Sequence, residues 1–356
     1  MSICRAIAVM SVVACAIGRP GVAAAAQAAA GNQPPSPSGA ASLSSPSSPA
    51  DSASFSLVST IRARADLVDL RDGRAYVVDG KSLTIFDLSN ASAPVRQGSY
   101  AFPEKIWGIR VVGSRVFVAA DFFGLGILDV SRPNAPTLVG SLKTPGQAKN
   151  VAVVGSTAMV ADHMTGVDVI DVSVASAPAR RGSFFLEGYA RDVITAGSFA
   201  YAIDAPAGLY VFDLSMTDRL DALEPVGSDQ SATAPGSIEL VTKGDGGPAS
   251  LAVLVGGGFL QVYDVSNPQV PVKVTAFRTP SGRPARVALK ASTAFVADGR
   301  EGLQVVDLST PGAPRLIGGY PTAQPARDVA VEGALVAVSV GQPDGGGEVL
   351  ILRAGP

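Results

Sequence analysis

Short apolar runs, separated by turn residues, recur along most of the chain. In one copy the runs cover residues 149–154, 158–162 and 166–171, and Gly155 and Ser156 separate the first two. Runs of this length, rich in Val and Ile and bounded by Gly, Ser and Asp, predict β-strands joined by tight turns. In the preceding copy a fourth run follows at 138–142. Each copy therefore predicts a four-stranded antiparallel meander.

One tetrapeptide marks the phase of these copies. An apolar residue, Asp, then Leu or Val, then Ser occurs six times, with spacings of 42, 42, 42, 51 and 43 residues between the aspartates. A period of about forty residues indicates a repeat architecture in which each copy buries its core against its neighbours. The six aspartates are Asp87, Asp129, Asp171, Asp213, Asp264 and Asp307.

The number of copies and an extra strand at the N-terminal end predict how the repeat array closes. The seventh copy lacks a fourth strand after residues 348–352, whereas residues 55–60 match a fourth strand that precedes the first copy. Such a strand would complete the last sheet and close a ring, which predicts an all-β, seven-bladed β-propeller over residues 55–353. An open solenoid, the alternative, would need capping repeats and would leave residues 55–60 unexplained. First strands are predicted near Asp66, Trp107, Lys149, Arg191, Ile238, Arg286 and Arg327.

The third strands also resemble a known family. The segments 125–129, 167–171 and 303–307 look like the LVIVD repeat of bacterial and archaeal surface propellers, and the resemblance covers roughly residues 62–353. It departs from the pattern in the fourth and fifth copies, and the seventh lacks the Asp. The resemblance implies an exported propeller, and it carries no shared catalytic chemistry.

The first thirty residues predict a signal peptide. Arg5 precedes an apolar run of about twelve residues, which is shorter than the roughly twenty residues of a spanning helix. The alternative is a lipobox at residues 12–15, in which Cys15 would carry a lipid anchor. Both interpretations predict export to the periplasm, the cell surface or the medium, with no transmembrane span.

The linker composition, the cysteine positions and the net charge limit the structure and the partners that we expect. Residues 31–54 are nearly all Ser, Pro, Ala and Gly, which predicts a disordered linker. Cys4 and Cys15 are the only cysteines, so after ordinary cleavage no disulfide can form in the mature domain. The net charge of −2 argues against nucleic acid as a partner. We expect a monomer.

Most candidate chemistry has a simpler structural interpretation. The repeated Asp ends a strand before Ser, where it is expected to accept hydrogen bonds in a turn. The single histidine, His163, is expected to be a loop residue and not part of a catalytic triad. Calcium at Asp162 and Asp168, or at Asp344, remains an alternative to turn formation. The glycine runs 256–258 and 345–347 are expected to be hairpin turns. We predict no catalytic residue, no metal site and no cofactor.

The entrances to the first strands give the candidate site. Aligned on the Gly that ends each strand, Trp107, Lys149, Arg191 and Arg327 share one position, and Arg286 lies within one residue of it. All five are therefore predicted at one mouth of the central channel, where aromatic and cationic side chains suit an anionic or sugar-like ligand or a partner protein. The preceding loops add Phe102, Lys105, Phe185, Tyr189, Arg278, Arg283 and Tyr320.

Two structural alternatives and three functions remain open. Arg191 with Asp192, and Arg327 with Asp328, could instead form salt bridges between blades. The favoured function is a non-catalytic binding or scaffold module at the cell envelope. The alternatives are a propeller enzyme, a hydrolase or lyase with a cation in its channel, and a matrix protein without a discrete ligand.

Overall fold

The computed structural model describes residues 53–205, 208–215, 224–243, 247–342 and 346–355. The predicted signal peptide and all but the last two residues of the predicted linker lie outside these ranges. None of the described residues forms a helix with the length and hydropathy of a membrane span.

The described strands form seven four-stranded antiparallel sheets. The first strand along the chain is β1 (Phe55–Ile61). Blade 1 is β2 (Leu67–Arg71), β3 (Arg74–Asp79), β4 (Ser82–Asp87) and β5 (Val95–Ala101). Blade 2 is β6 (Gly108–Val112), β7 (Arg115–Ala120), β8 (Gly124–Asp129) and β9 (Thr137–Leu142). Blade 3 is β10 (Asn150–Val154), β11 (Thr157–Ala161), β12 (Val167–Asp171) and β13 (Ala179–Phe184).

The remaining blades follow the same order. Blade 4 is β14 (Tyr189–Ala196), β15 (Phe199–Ala205), β16 (Gly208–Asp213) and β17 (Gly227–Asp229). Blade 5 is β18 (Pro235–Thr242), β19 (Ala249–Gly256), β20 (Phe259–Asp264) and β21 (Val272–Arg278). Blade 6 is β22 (Arg286–Lys290), β23 (Thr293–Ala297), β24 (Leu303–Asp307) and β25 (Arg315–Tyr320). Blade 7 is β26 (Ala326–Glu332), β27 (Leu335–Gly341) and β28 (Gly347–Ala354), completed by β1.

The N-terminal strand closes the ring, as the sequence predicts. Strand β1 pairs antiparallel with β28, from Phe55 opposite Ala354 to Ile61 opposite Val349. The Phe55 ring also packs edge-on against Phe295 of blade 6, with ring centroids 6.3 Å apart. The predicted seven-bladed propeller is therefore confirmed, with its last blade built from both ends of the described chain.

The core lies between the blades, because each sheet is too small to bury its own faces. Buried apolar side chains of neighbouring blades form joint clusters, as where Phe184 of blade 3 stacks on Phe212 of blade 4 at 4.3 Å. Gly140 in an outer strand lies so close to the next blade that a Cβ there would stand 1.8 Å from the Ala175 carbonyl oxygen. The blades therefore interlock at the rim as well as near the axis.

The first strand of each blade lines the central channel and leaves one edge without a strand partner. Acidic side chains of the preceding blade satisfy part of this edge: Asp328 accepts from the Val68 N–H at 2.9 Å, and Asp192 accepts from the Ile238 N–H at 3.1 Å. An unsatisfied N–H in a buried position is costly, so these bonds stabilise the joint between blades.

Candidate binding face at the channel mouth

The mouth face consists of the loops that enter the first strands and the loops between second and third strands. Three buried aspartates at the ends of second strands hold these loops. Asp162 accepts from the Thr144 hydroxyl at 2.6 Å and from the Gly146 N–H at 2.5 Å, and Asp298 accepts from the Thr279 hydroxyl at 2.8 Å. Asp204 accepts from the N–H of Gly188 at 2.6 Å. These hydrogen bonds therefore hold the loops of the mouth face in place.

Trp107 forms the centre of the candidate site. The Lys105 ammonium lies 3.9 Å from the centroid of the Trp107 ring, and the Lys149 ammonium lies 4.2 Å from the same ring. The indole N–H donates to the Asp121 carboxylate at 3.2 Å, which fixes the ring plane. Cations over an indole face are attracted by its quadrupole, so two positive charges are held at one aromatic side chain.

These charges are crowded. Burial lowers the pKa of Lys149, and the neighbouring Arg191 and Lys105 lower it further, while Asp121 acts in the opposite direction. Within the described residues, no carboxylate lies within 4.0 Å of the basic nitrogens of Lys105, Lys149 or Arg191. An anion placed among them would relieve the repulsion.

An apolar rim extends from this centre across the loops of blades 2, 3 and 4. The His163 and Tyr189 rings stack at 4.7 Å, and the backbone of His163 bridges to Ala190. Burial lowers the pKa of His163, and Lys149 and Arg191 add to the lowering, so the imidazole is neutral near pH 7. Side chains exposed by 44 to 75% in these loops are those of Phe122, Met164, Phe185 and Tyr189. We call Lys105, Trp107, Lys149, Arg191 and these four the blade 2–4 patch.

The structure brings together only some of the predicted site residues. Trp107, Lys149, Tyr189 and Arg191 meet in the patch, and Lys105 and Phe185, which the sequence places in the preceding loops, join them. Arg327 instead pairs with Asp66 at 2.9 Å across the joint between blades 7 and 1. This is a salt bridge between blades, as the structural alternative predicted, although its partner is Asp66 and not Asp328.

Arg286 lies inside the channel, one residue deeper than the mouth. Its guanidinium reaches across to Asp192 of blade 4 at 3.5 Å and to the Trp107 carbonyl oxygen of blade 2 at 3.4 Å. Asp192 is thereby paired with Arg286, and it also accepts from the Asn150 side-chain amide, so it does not pair with Arg191. Arg286 therefore lies in the channel and not in the patch.

The channel holds charged residues that the sequence analysis missed. Arg286 also lines a cavity of about 290 Å³, whose lining includes Asp69, Arg110 and Glu239. Burial raises the pKa of Asp69, and burial raises that of Glu239 to about 7, although Arg110 opposes both shifts. All three occupy equivalent positions in their first strands: Asp69 lies opposite Tyr76, Arg110 opposite Phe117 and Glu239 opposite Val253. The sequence carries one signal for these residues: each is charged at a position that is apolar in the other copies.

The repeated aspartates lie on the opposite face and form turns, as predicted. Each accepts a hydrogen bond from the N–H of the Ser two residues later, at 2.8 or 2.9 Å in all six copies. For Asp87 this N–H contact is the largest cause of a lowered pKa, as it is for Asp307. The run Gly256 to Gly258 joins β19 to β20 as a hairpin turn, which is also as predicted.

The described residues that were candidates for calcium binding, and the single histidine, make other contacts. Asp162 is held by loop donors, while buried Asp168 pairs with Arg180 at 2.6 Å. Among the described residues, no group of three His, Cys, Asp or Glu side chains could hold a metal ion. Asp344 lies outside the described residues. The His163 ring makes no hydrogen bond within the described part of the chain, and its contact is the stack on Tyr189.

Comparisons with known proteins agree with the fold. The Myceliophteria thermophila Cps50 (Swd1) β-propeller domain superposes with a TM-score of 0.67 at 13% identity, covering 84% of this chain and 99% of that one. The computationally designed Ika8 protein gives 0.58 at 11% identity, covering 80% and 82%. No curated protein matches the chain. The LVIVD repeat matches residues 64–101, 105–144, 145–185, 187–216 and 281–322. Because these copies cover more than half of the sequence, the chain belongs to the LVIVD repeat family.

Proposed function

We propose that this propeller is a non-catalytic binding or scaffold module at the cell envelope, and that the blade 2–4 patch binds an acidic, partly apolar segment of a partner protein. The observation that carries the proposal is the placement of the Lys105 and Lys149 ammonium groups over Trp107, beside Arg191, with no carboxylate in ion-pairing distance among the described residues. Such charges are available to a partner.

The apolar rim favours a polypeptide over a small anion. The most exposed large hydrophobic side chains of the mouth face are Phe122, Met164 and Phe185, at 58, 67 and 75%. Exposed aromatic side chains near Arg and Lys are the composition of protein-binding centres, since the rings bury area while the cations select charge. A segment that alternates Glu with Phe or Leu would satisfy both parts of the patch.

The test compares two double variants with the same loss of charge. Lys149→Ala/Arg191→Ala removes cations from the patch, and Arg283→Ala/Arg300→Ala removes exposed cations from the blade 6 loops of the same face. Binding of a fluorescent peptide of alternating Glu and Phe to the full chain is measured by anisotropy. We expect about tenfold weaker binding for the first variant only.

Two results would contradict the proposal. One is equal weakening by both double variants, which would show only a general attraction to the basic face. The other is equal binding of a peptide in which Lys replaces every Glu. A pull-down from envelope extract with the same variants then identifies the natural partner, and matching partner sets for wild type and Lys149→Ala/Arg191→Ala would count against the patch.

The cellular setting rests on residues 1–30, which lie outside the described residues. Ordinary cleavage and lipidation at Cys15 both export the domain, and they leave different N-termini. Mass spectrometry of the mature protein distinguishes them, because lipidation leaves Cys15 as a modified first residue. Recovery of a chain that still begins at Met1, in the cytoplasm only, would contradict the envelope setting.

A further inference from the structure

None of the residues of the blade 2–4 patch lines the cavity in the channel. Arg286 lines its mouth end, and the lining continues toward Arg71 and Glu332 near the opposite end of the first strands. Its volume is about 290 Å³. This lies at the lower limit of pockets that bind small ligands.

The residues equivalent to Asp69 in the other first strands shape this cavity. In blades 6 and 7 they are Ala288 and Ala330, which leave space, whereas in blades 2 and 5 they are Arg110 and Glu239. Neither the Arg110 guanidinium nor the Glu239 carboxyl group has a hydrogen bond or an ion pair within 4.0 Å in the described part of the chain. Two opposite charges therefore face the same cavity without direct partners.

Four other charged residues of the cavity lining already have protein partners. Asp328 accepts from the Val68 N–H, and Asp192 is bound by Arg286 and by the Ile238 N–H. Glu332 accepts from the N–H groups of Asp72 and Gly73 at 2.6 and 3.1 Å. These contacts stabilise the ring, and they leave the Arg110 guanidinium and the Glu239 carboxyl group for a guest molecule.

We propose that the channel cavity binds a small amino-carboxylate, a molecule that carries one carboxylate and one ammonium group a few atoms apart. Its carboxylate pairs with the Arg110 guanidinium, which suits bidentate hydrogen bonding, and its ammonium pairs with Glu239. A ligand with only a negative charge would be repelled by the carboxylates of the channel, and a ligand with only a positive charge would be repelled by Arg110. Both are therefore selected against.

The test uses ligands that differ by one charged group. Isothermal titration of the full chain at about pH 8, where Glu239 is ionised, compares 5-aminopentanoate with pentanoate and pentylamine. We expect 5-aminopentanoate to bind about tenfold or more tightly than either analogue. Glycine, 4-aminobutanoate and 6-aminohexanoate then report the preferred distance between the charges. Absence of binding by every amino-carboxylate at millimolar concentration would overturn the proposal, as would equal binding of all three five-carbon compounds.

Two variants test which residue binds each charged group of the ligand. Arg110→Gln is expected to remove the advantage of 5-aminopentanoate over pentylamine, and Glu239→Gln is expected to remove its advantage over pentanoate. Selectivity that survives both substitutions would overturn the assignment, and circular dichroism verifies that each variant is folded. Lys149→Ala/Arg191→Ala serves as the control, since it disables the patch and is expected to leave this titration unchanged. Failure of the patch and failure of the cavity are thus separate results.

Discussion

The carboxylate of Asp328 accepts a hydrogen bond at 2.9 Å from the backbone N–H of Val68, 260 residues earlier in the chain. One residue away, Arg327 pairs with Asp66 at 2.9 Å. Both contacts join blade 7 to blade 1, where the two ends of the ring meet. They act near the axis, while β1 joins the same blades at the rim.

We predict that Asp328→Ala lowers the free energy of unfolding by about 1–3 kcal/mol, because the Val68 N–H loses its acceptor at a buried edge. Asp328→Asn keeps an acceptor oxygen and is expected to lose less. Urea unfolding measures both. Asp79→Ala is the control: Asp79 pairs with Arg64 on the surface, with half of its side chain exposed, so its loss should cost less than about 1 kcal/mol. An alanine variant at 328 as stable as the control would show that this bond is unimportant.

The closing strand provides a second prediction. Ile61 is 4% exposed and packs in the joint cluster of blades 7 and 1, whereas Leu57 on the same strand is 49% exposed. Ile61→Ala should cost about 2–5 kcal/mol through lost burial and the resulting cavity. Leu57→Ala should cost less than about 1 kcal/mol. Deletion of residues 55–60 should expose the edge of β28 and cause aggregation, visible by light scattering. If the two alanine variants unfold at the same urea concentration, β1 does not contribute through its core face.

A third prediction concerns pH. The pKa of Glu239 is about 7 in the folded chain against 4.5 for an ordinary Glu, so the folded state binds more protons between these values. Stability from this group is therefore full below about pH 4.5 and falls as the pH rises through about 7. Charged groups near Glu239 are Arg110, Asp69, Asp192 and Arg286. Glu239→Gln should raise the melting temperature at about pH 8 more than at about pH 5. A difference independent of pH would contradict the assignment.

Trp107 provides a spectroscopic prediction, since it is the only tryptophan in the chain. Two ammonium groups lie over its ring, so iodide should accumulate there and quench its fluorescence more strongly than caesium does. Lys105→Ala/Lys149→Ala should reduce quenching by iodide and leave quenching by neutral acrylamide equal or increased. If iodide quenching is the same in the variant, the charges do not act at the ring in solution.

The repeat phase made much of this structure predictable. Because the copies align on one Asp and one turn Gly, the blade count, the closing strand and the shared mouth position of Trp107, Lys149 and Arg191 could be derived from spacing. The contacts across the ring could not be derived in this way. Arg110 and Glu239 belong to blades 2 and 5, and only the closed ring makes both line one cavity. The reach of Arg286 to blade 4 and the choice of Asp66 by Arg327 likewise depend on side-chain conformation, which no period specifies.

The pairing of β1 with β28 also determines when the ring can form. Strand β1 leaves the ribosome first, and its partner, residues 347–354, is made almost three hundred residues later. Contacts this distant in sequence slow folding and delay the final closure until synthesis is nearly complete. An incomplete chain would therefore remain an open array with unpaired strand edges, which are prone to aggregation and proteolysis.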